Sequence, residues 1–141
     1  MIRGEFEDAG ERSPASLESA YGAVLAETID QAGVETAVEE TGLDRGTVEA
    51  VANGDAAGVT VEQAAAILAL DDDRPSADAI EAEARDILLM GMSTAVLDVE
   101  ALAAGIDDAM DPKEIQQKIE GRYPLTLAEY AILHAFIAGR Q

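Results

Sequence analysis

The chain contains no cysteine. That excludes a disulfide framework, a thiol nucleophile and a thiolate metal site. Tryptophan is also absent and aromatic residues make up only 4% of the 141 positions, so the core has to be built from Ala, Val, Ile and Leu. Two lysines, Lys113 and Lys118, and one histidine, His134, are the whole supply of those residue types. No apolar run approaches the roughly 20 residues of a membrane span. The opening MIRGEFEDAGERS lacks the charged-then-apolar order of a secretory signal. These absences predict a soluble, cytoplasmic protein with no membrane segment. Sustained alternation of apolar and polar residues is missing too, which predicts an all-α fold.

Catalytic patterns are equally scarce. Gly54 and Gly58 are not followed by the Lys and Ser/Thr of a phosphate-cradling loop. Carboxylate pairs such as Asp107 and Asp108 are common because carboxylates are common. The run Asp71-Asp72-Asp73 reads as a solvated linker ahead of a helix N-terminus, where negative charge is favoured. His134 falls on a helix face that predicts burial. The expectation is a non-catalytic protein, with no cofactor and no metal.

What the chain has in excess is acid. Its 29 Asp and Glu against 9 Lys and Arg give a net charge of −20, yet 48% of residues are hydrophobic, too many for a disordered chain. In molar salt the Debye length falls to about 3 Å and like charges no longer repel over distance. Scarce lysine, abundant carboxylate and small apolar residues therefore predict a salt-adapted protein. The charge is uneven. Residues 1–109 carry 25 acidic and 5 basic side chains, whereas residues 110–141 carry four of each.

Helix signals recur twice. LDRGTVEAVANG, residues 43–54, leads after a loop to TVEQAAAILAL; MDPKEIQQKIEG, residues 110–121, leads to TLAEYAILHAF. Each copy opens with an apolar residue and a capping Asp, Asp44 or Asp111, and meets a glycine eleven residues on. Each restarts at a capping box, Thr60 with Gln63 and Thr126 with Glu129. Matching Leu43 to Met110 keeps register through both glycines. With one residue fewer in the second loop, Thr60 meets Thr126 and Leu68 meets His134. The pattern predicts about eight short helices in two tandem helix-turn-helix-like units. Residues 1–13 form a flexible acidic tail, 14–70 the first unit, 71–75 a linker, and 76–141 a central helix plus the second unit. The central helix, with Ile80, Ala84, Ile87, Leu88 and Gly91 on one side, packs within the chain or forms the seam of a homodimer.

Val38, Gly42, Leu43, Val48 and Gly54, followed by Thr60 and an apolar helix, resemble the helix-turn-helix core of phage-repressor-like DNA-binding domains. The resemblance implies that Gly42 makes the turn and Val48 is the buried residue of the recognition helix. In the second copy Gly105 and Ala109 stand where Val38 and Gly42 do. The chain as a whole is similar to a small family of acidic proteins from halophilic archaea, through a run like LDVEALAAGIDDAMDPKEIQQKIEGRYPLTLAEY. That likeness supports salt adaptation and implies no known activity.

A DNA reader meets base edges and phosphates with the outward residues of its second helix. In the first copy these are Arg45, Thr47, Glu49, Ala50 and Asn53. In the second they are Lys113, Gln116, Gln117 and Lys118, with Arg122 just beyond. Gln can bond an adenine edge, and Lys or Arg a phosphate or guanine. The expected function is regulatory or binding, with Lys113, Gln116, Gln117, Lys118, Arg122 and Arg45 as the contact residues. The partner is DNA at high salt, or another protein if the fold has lost its DNA contact.

Overall fold

The computed structural model describes residues 6–141, and among these it is all-α. Local chemistry fixes each helix. Ser13 caps α1 (Pro14–Ala32), accepting from the Ser16 amide, and Pro14 takes the first helical position. Leu17, Tyr21, Leu25 and Ile29 line its buried face. Gly33, at φ 91°, ends α1 and turns the chain into α2 (Val34–Thr41). Gly42, left-handed at φ 74°, ends α2, and Asp44 caps α3 (Arg45–Ala52) at 2.7 Å from the Thr47 amide. Thr60 and Gln63 close a reciprocal capping box on α4 (Val61–Leu68).

The second half repeats the scheme. Ser76 caps α5 (Ala77–Ala95), Asp98 caps α6 (Val99–Gly105), Asp111 caps α7 (Pro112–Ile119), and Thr126 with Glu129 forms the capping box of α8 (Leu127–Gly139). α1 and α5 are both 19 residues long and begin at serine caps 63 positions apart. Hydrogen bonds repeat as well: Gly54 and Gly121 donate to Val51 and Lys118, and Asp55 and Arg122 donate to Ala50 and Gln117. α5 is thus the counterpart of α1. It joins the units, packing on α4 of the first and α8 of the second.

The units meet loop to loop. Thr60 and Thr126 form an isolated antiparallel bridge, with Val61 donating to Leu125 O at 2.8 Å and Leu127 to Val59 O at 2.7 Å. This places the two capping boxes across a local two-fold axis. The long helices then exchange partners: α1 packs most extensively on α8, and α5 on α4. One continuous core results, running from Leu17 and Val48 through Ile67 and Ile80 to Ile115, Tyr130 and Leu133. The 71–75 segment is tied into this arrangement, because Arg74 donates to Thr28 Oγ1 of α1 at 3.0 Å.

One expectation is corrected. Residues 6–12 do not fray. Ala9 is 1% exposed within a short 3₁₀ turn, Ala9–Glu11, that lies on α8, and Phe6 meets the Tyr21 ring edge-on at 4.8 Å. Residues 1–5 of the expected tail lie outside the described residues. The second turn is longer than the first, in keeping with Ala109 standing where the first copy has Gly42. The chain takes three residues, 42–44, from α2 to α3, but six, 106–111, from α6 to α7. There Asp107 and Asp108 are both left-handed (φ 55° and 57°), a conformation that short Asp side chains tolerate and most residues avoid. Gly105 sits closer to α8 than any side chain could: a Cβ there would come 2.0 Å from Phe136 Cζ.

Candidate functional site

α7 is amphipathic, with Ile115 and Ile119 buried and its outward residues in solvent. Lys113 and Gln116 are exposed, and Gln117 is half-buried. Gln117 lines a shallow recess of about 270 Å³ with Glu114, Lys118, Tyr123 and Pro124. Gln116 Nε2 donates to Glu120 Oε1 at 3.2 Å. Lys113 has no hydrogen bond or ion pair among the described residues. Lys113, Gln116 and Gln117 therefore share one helix surface, as expected.

Lys118 does not belong to that surface. Its side chain is 14% exposed, and its Nζ lies 2.8 Å from Glu114 Oε2 and 2.5 Å from Glu129 Oε2, tying α7 to the first turn of α8. Burial disfavours the ammonium, but the two carboxylate hydrogen bonds outweigh it and hold its pKa above the usual lysine value. The same contact holds Glu129 below the usual glutamate value, against its own burial. The repeat carried the signal. Lys118 matches Val51, which is fully buried in the first unit, and Glu129 matches Gln63. The second unit thus has an ion pair where the first has an apolar residue and an amide.

The remaining cations are also engaged. Arg122 is exposed but lies 2.6 Å from Glu120 Oε2. Arg45 is on α3, in the other unit, 2.5 Å from Glu35 of α2 and 3.8 Å from Glu49. Those carboxylates raise its pKa. A second recess, about 230 Å³, is lined by Arg85, Arg122, Thr60 and Tyr123, but Glu62 and Glu81 share it, and Arg85 Nη1 is 2.5 Å from Glu81. Its charges cancel.

His134 is 9% exposed in the core, with Nδ1 against the Tyr21 hydroxyl and its ring 5.5 Å from that of Tyr130. Burial pushes its pKa down to about 4, so the ring is neutral at pH 7. Tyr130 donates to Ala84 O at 3.0 Å, fixing α8 to α5. Both rings are used in packing rather than presented to solvent. Among the described residues, no three His, Cys, Asp or Glu side chains converge in a way that could hold a metal.

One exposed feature was missed in the sequence. At the end of α5, Leu89 is 45% exposed and Val96 89% exposed, with Met90 also in solvent. The chain then bends by 93° into α6. No single helix among the described residues is long and apolar enough to cross a membrane; α5 and α6 taken together meet the length and composition of a span, but across this bend.

Residues 17–140 match the model of a family of unknown function, DUF5791, and the chain belongs to that family. No curated protein and no solved structure matches it.

Proposed function

We propose that the chain is a non-catalytic binding protein that engages another protein, on a scaffold of two paired helix-turn-helix-like units. The observation that supports this most is the state of its cations. Phosphate binding needs basic groups free to replace the counterions condensed on the nucleic acid. Arg45 and Arg122 are held by surface carboxylates, and Lys118 is enclosed between two. Lys113 alone on α7 lacks such a partner among the described residues, and one cation is a poor phosphate-binding surface on a chain of net charge −20. The likeness to repressor-type units lies in the first copy, through the left-handed Gly42 and the buried Val48. That copy presents Glu35 and Glu49 beside its one arginine.

We further read the acidity as adaptation to a cytoplasm of molar salt. Melting temperature should then rise steeply from dilute buffer to molar KCl.

The test of the main reading is retention of a random-sequence duplex DNA pool across a KCl series, from the lowest concentration at which the chain stays folded. The wild type and Lys113→Glu are compared. Lys118 is left intact because its loss breaks the ion pair that ties α7 to Glu129 of α8. The expected result is background retention by both. Retention by the wild type that Lys113→Glu abolishes would restore the DNA reading.

A further inference from the structure

The duplication provides an internal control for the apolar residues at the end of α5. With the serine caps Ser13 and Ser76 aligned, Leu89 matches Ala26, Met90 matches Glu27 and Val96 matches Gly33. The same helix, in the same fold position, is therefore complete without large hydrophobes there. Leu89 and Val96 contribute little to the core, because most of each side chain is in water.

Val96 is costly on a second count. It ends α5 at φ 56°, ψ 51°, the left-handed region, whereas α1 ends at the matching place on Gly33, at φ 91°, ψ 143°, a different positive-φ conformation. A β-branched residue in that conformation is a genuine outlier. A strained valine at this position is unfavourable for folding, and its exposure to water returns nothing in burial. Such residues persist where binding recovers what folding loses.

The surroundings state what kind of partner fits. Asp86 lies one turn before Leu89 and Met90, and Asp98 and Glu100 open α6 on the far side of the bend; all three are exposed. A second copy of the chain would bring these carboxylates against their own kind at contact distance, the range that molar salt screens least. An anionic lipid surface would be repelled in the same way. A polypeptide segment with apolar anchors flanked by Lys or Arg complements both the apolar residues and their rim.

We infer that the α5–α6 elbow, with Leu89 and Val96 as its apolar contacts and Asp86, Asp98 and Glu100 as its rim, docks a basic, apolar-anchored segment of a partner protein. This rests on the protein-binding reading above and assigns it a surface. The helix-spaced α7 residues are then not the site.

The test is selection of a displayed random-peptide library on the full chain at molar KCl, followed by amide-shift mapping of the enriched peptides. Enrichment of apolar residues flanked by Lys or Arg is expected, with shifts confined to residues 86–100. Val96→Asp should weaken binding at least tenfold. Val96→Gly should weaken it too while leaving thermal stability equal or higher, which a merely structural valine would not do. Glu27→Ala, at the matching site of α1, should leave binding unchanged. Enriched peptides that shift α7 instead, that lack basic residues, or that bind Val96→Gly as tightly as wild type would overturn the assignment while leaving a protein partner in place. No enrichment, or binding to anionic vesicles through the same amides, would overturn the partner class as well.

Discussion

The buried imidazole of His134 makes a quantitative prediction about stability and pH. In the folded chain its pKa lies at about 4, against 6.5 for an exposed histidine, because burial in the Tyr21–Tyr130 cluster disfavours the charged ring. The folded state therefore binds fewer protons than the unfolded state between those two values. Stability from this source is fully present above pH 6.5 and is lost as the pH falls toward 4. Between pH 7 and pH 5 the two values give a loss of about 2 kcal/mol. For a chain of 141 residues that lowers the melting temperature by on the order of 5–10 °C. Carboxylate protonation acts over part of the same range, and at net charge −20 it also relieves repulsion. The measured quantity is therefore the difference between wild type and His134→Leu, which carries the residue found at the matching buried position, Leu68. Thermal melts followed by circular dichroism at constant molar KCl, from pH 7 to pH 5, provide it. The wild type should lose about 2 kcal/mol relative to the variant. Parallel profiles would refute the claim that this ring is held neutral by burial.

Gly105→Ala should destabilise by about 1–3 kcal/mol, because a Cβ 2.0 Å from Phe136 Cζ drives that ring out of its packed position between α6 and α8; chemical denaturation checks it. Lys118→Met removes the charge between Glu114 and Glu129 and leaves two carboxylates at a half-buried site. After allowance for solvent screening, a loss of roughly 1–2 kcal/mol at neutral pH is expected. Because the carboxylates then repel each other, the loss should shrink at acid pH; a loss independent of pH would show that the side chain serves only as packing.

The helices were legible because their signals are local. Ser13, Asp44, Thr60, Ser76, Asp98, Asp111 and Thr126 each cap the helix that follows them. α2 and α6 span the residues that the glycine and Asp punctuation implied. The pairing of Thr60 with Thr126 was legible as a sequence match but not as a contact, because nothing local says that two similar loops bond to each other. The exchange of α1 and α5 between units is likewise a product of packing.

The contact surface was legible only in part. Lys113, Gln116 and Gln117 face outward as helical spacing requires. Lys118 was misassigned because lysine on a short helix reads as exposed unless the repeat register, which sets it on Val51, is given more weight than its charge. Arg45 and Arg122 lie at the surface, but their neutralising partners Glu35 and Glu120 depend on rotamers and on the α2–α3 turn. Val96 gave no warning. Gly91, Ser93 and Thr94 read as loosening the helix ahead of it, and only the backbone reveals that the helix runs on to Ala95 and leaves Val96 left-handed.

The central claim is that the two units form one interlocked body, which fixes α7 against α8 and leaves the α5–α6 elbow as the apolar surface without an internal use. Native-state hydrogen exchange at Val61 and Leu127 tests it most directly. These two amides carry the bonds between units, to Leu125 O and Val59 O. They should exchange only through global unfolding, with the same free energy as core amides of α1 and α8 and the same dependence on denaturant. Exchange of both at a lower free energy, with the amides of either unit still protected, would mean that the units open independently and would contradict the claim.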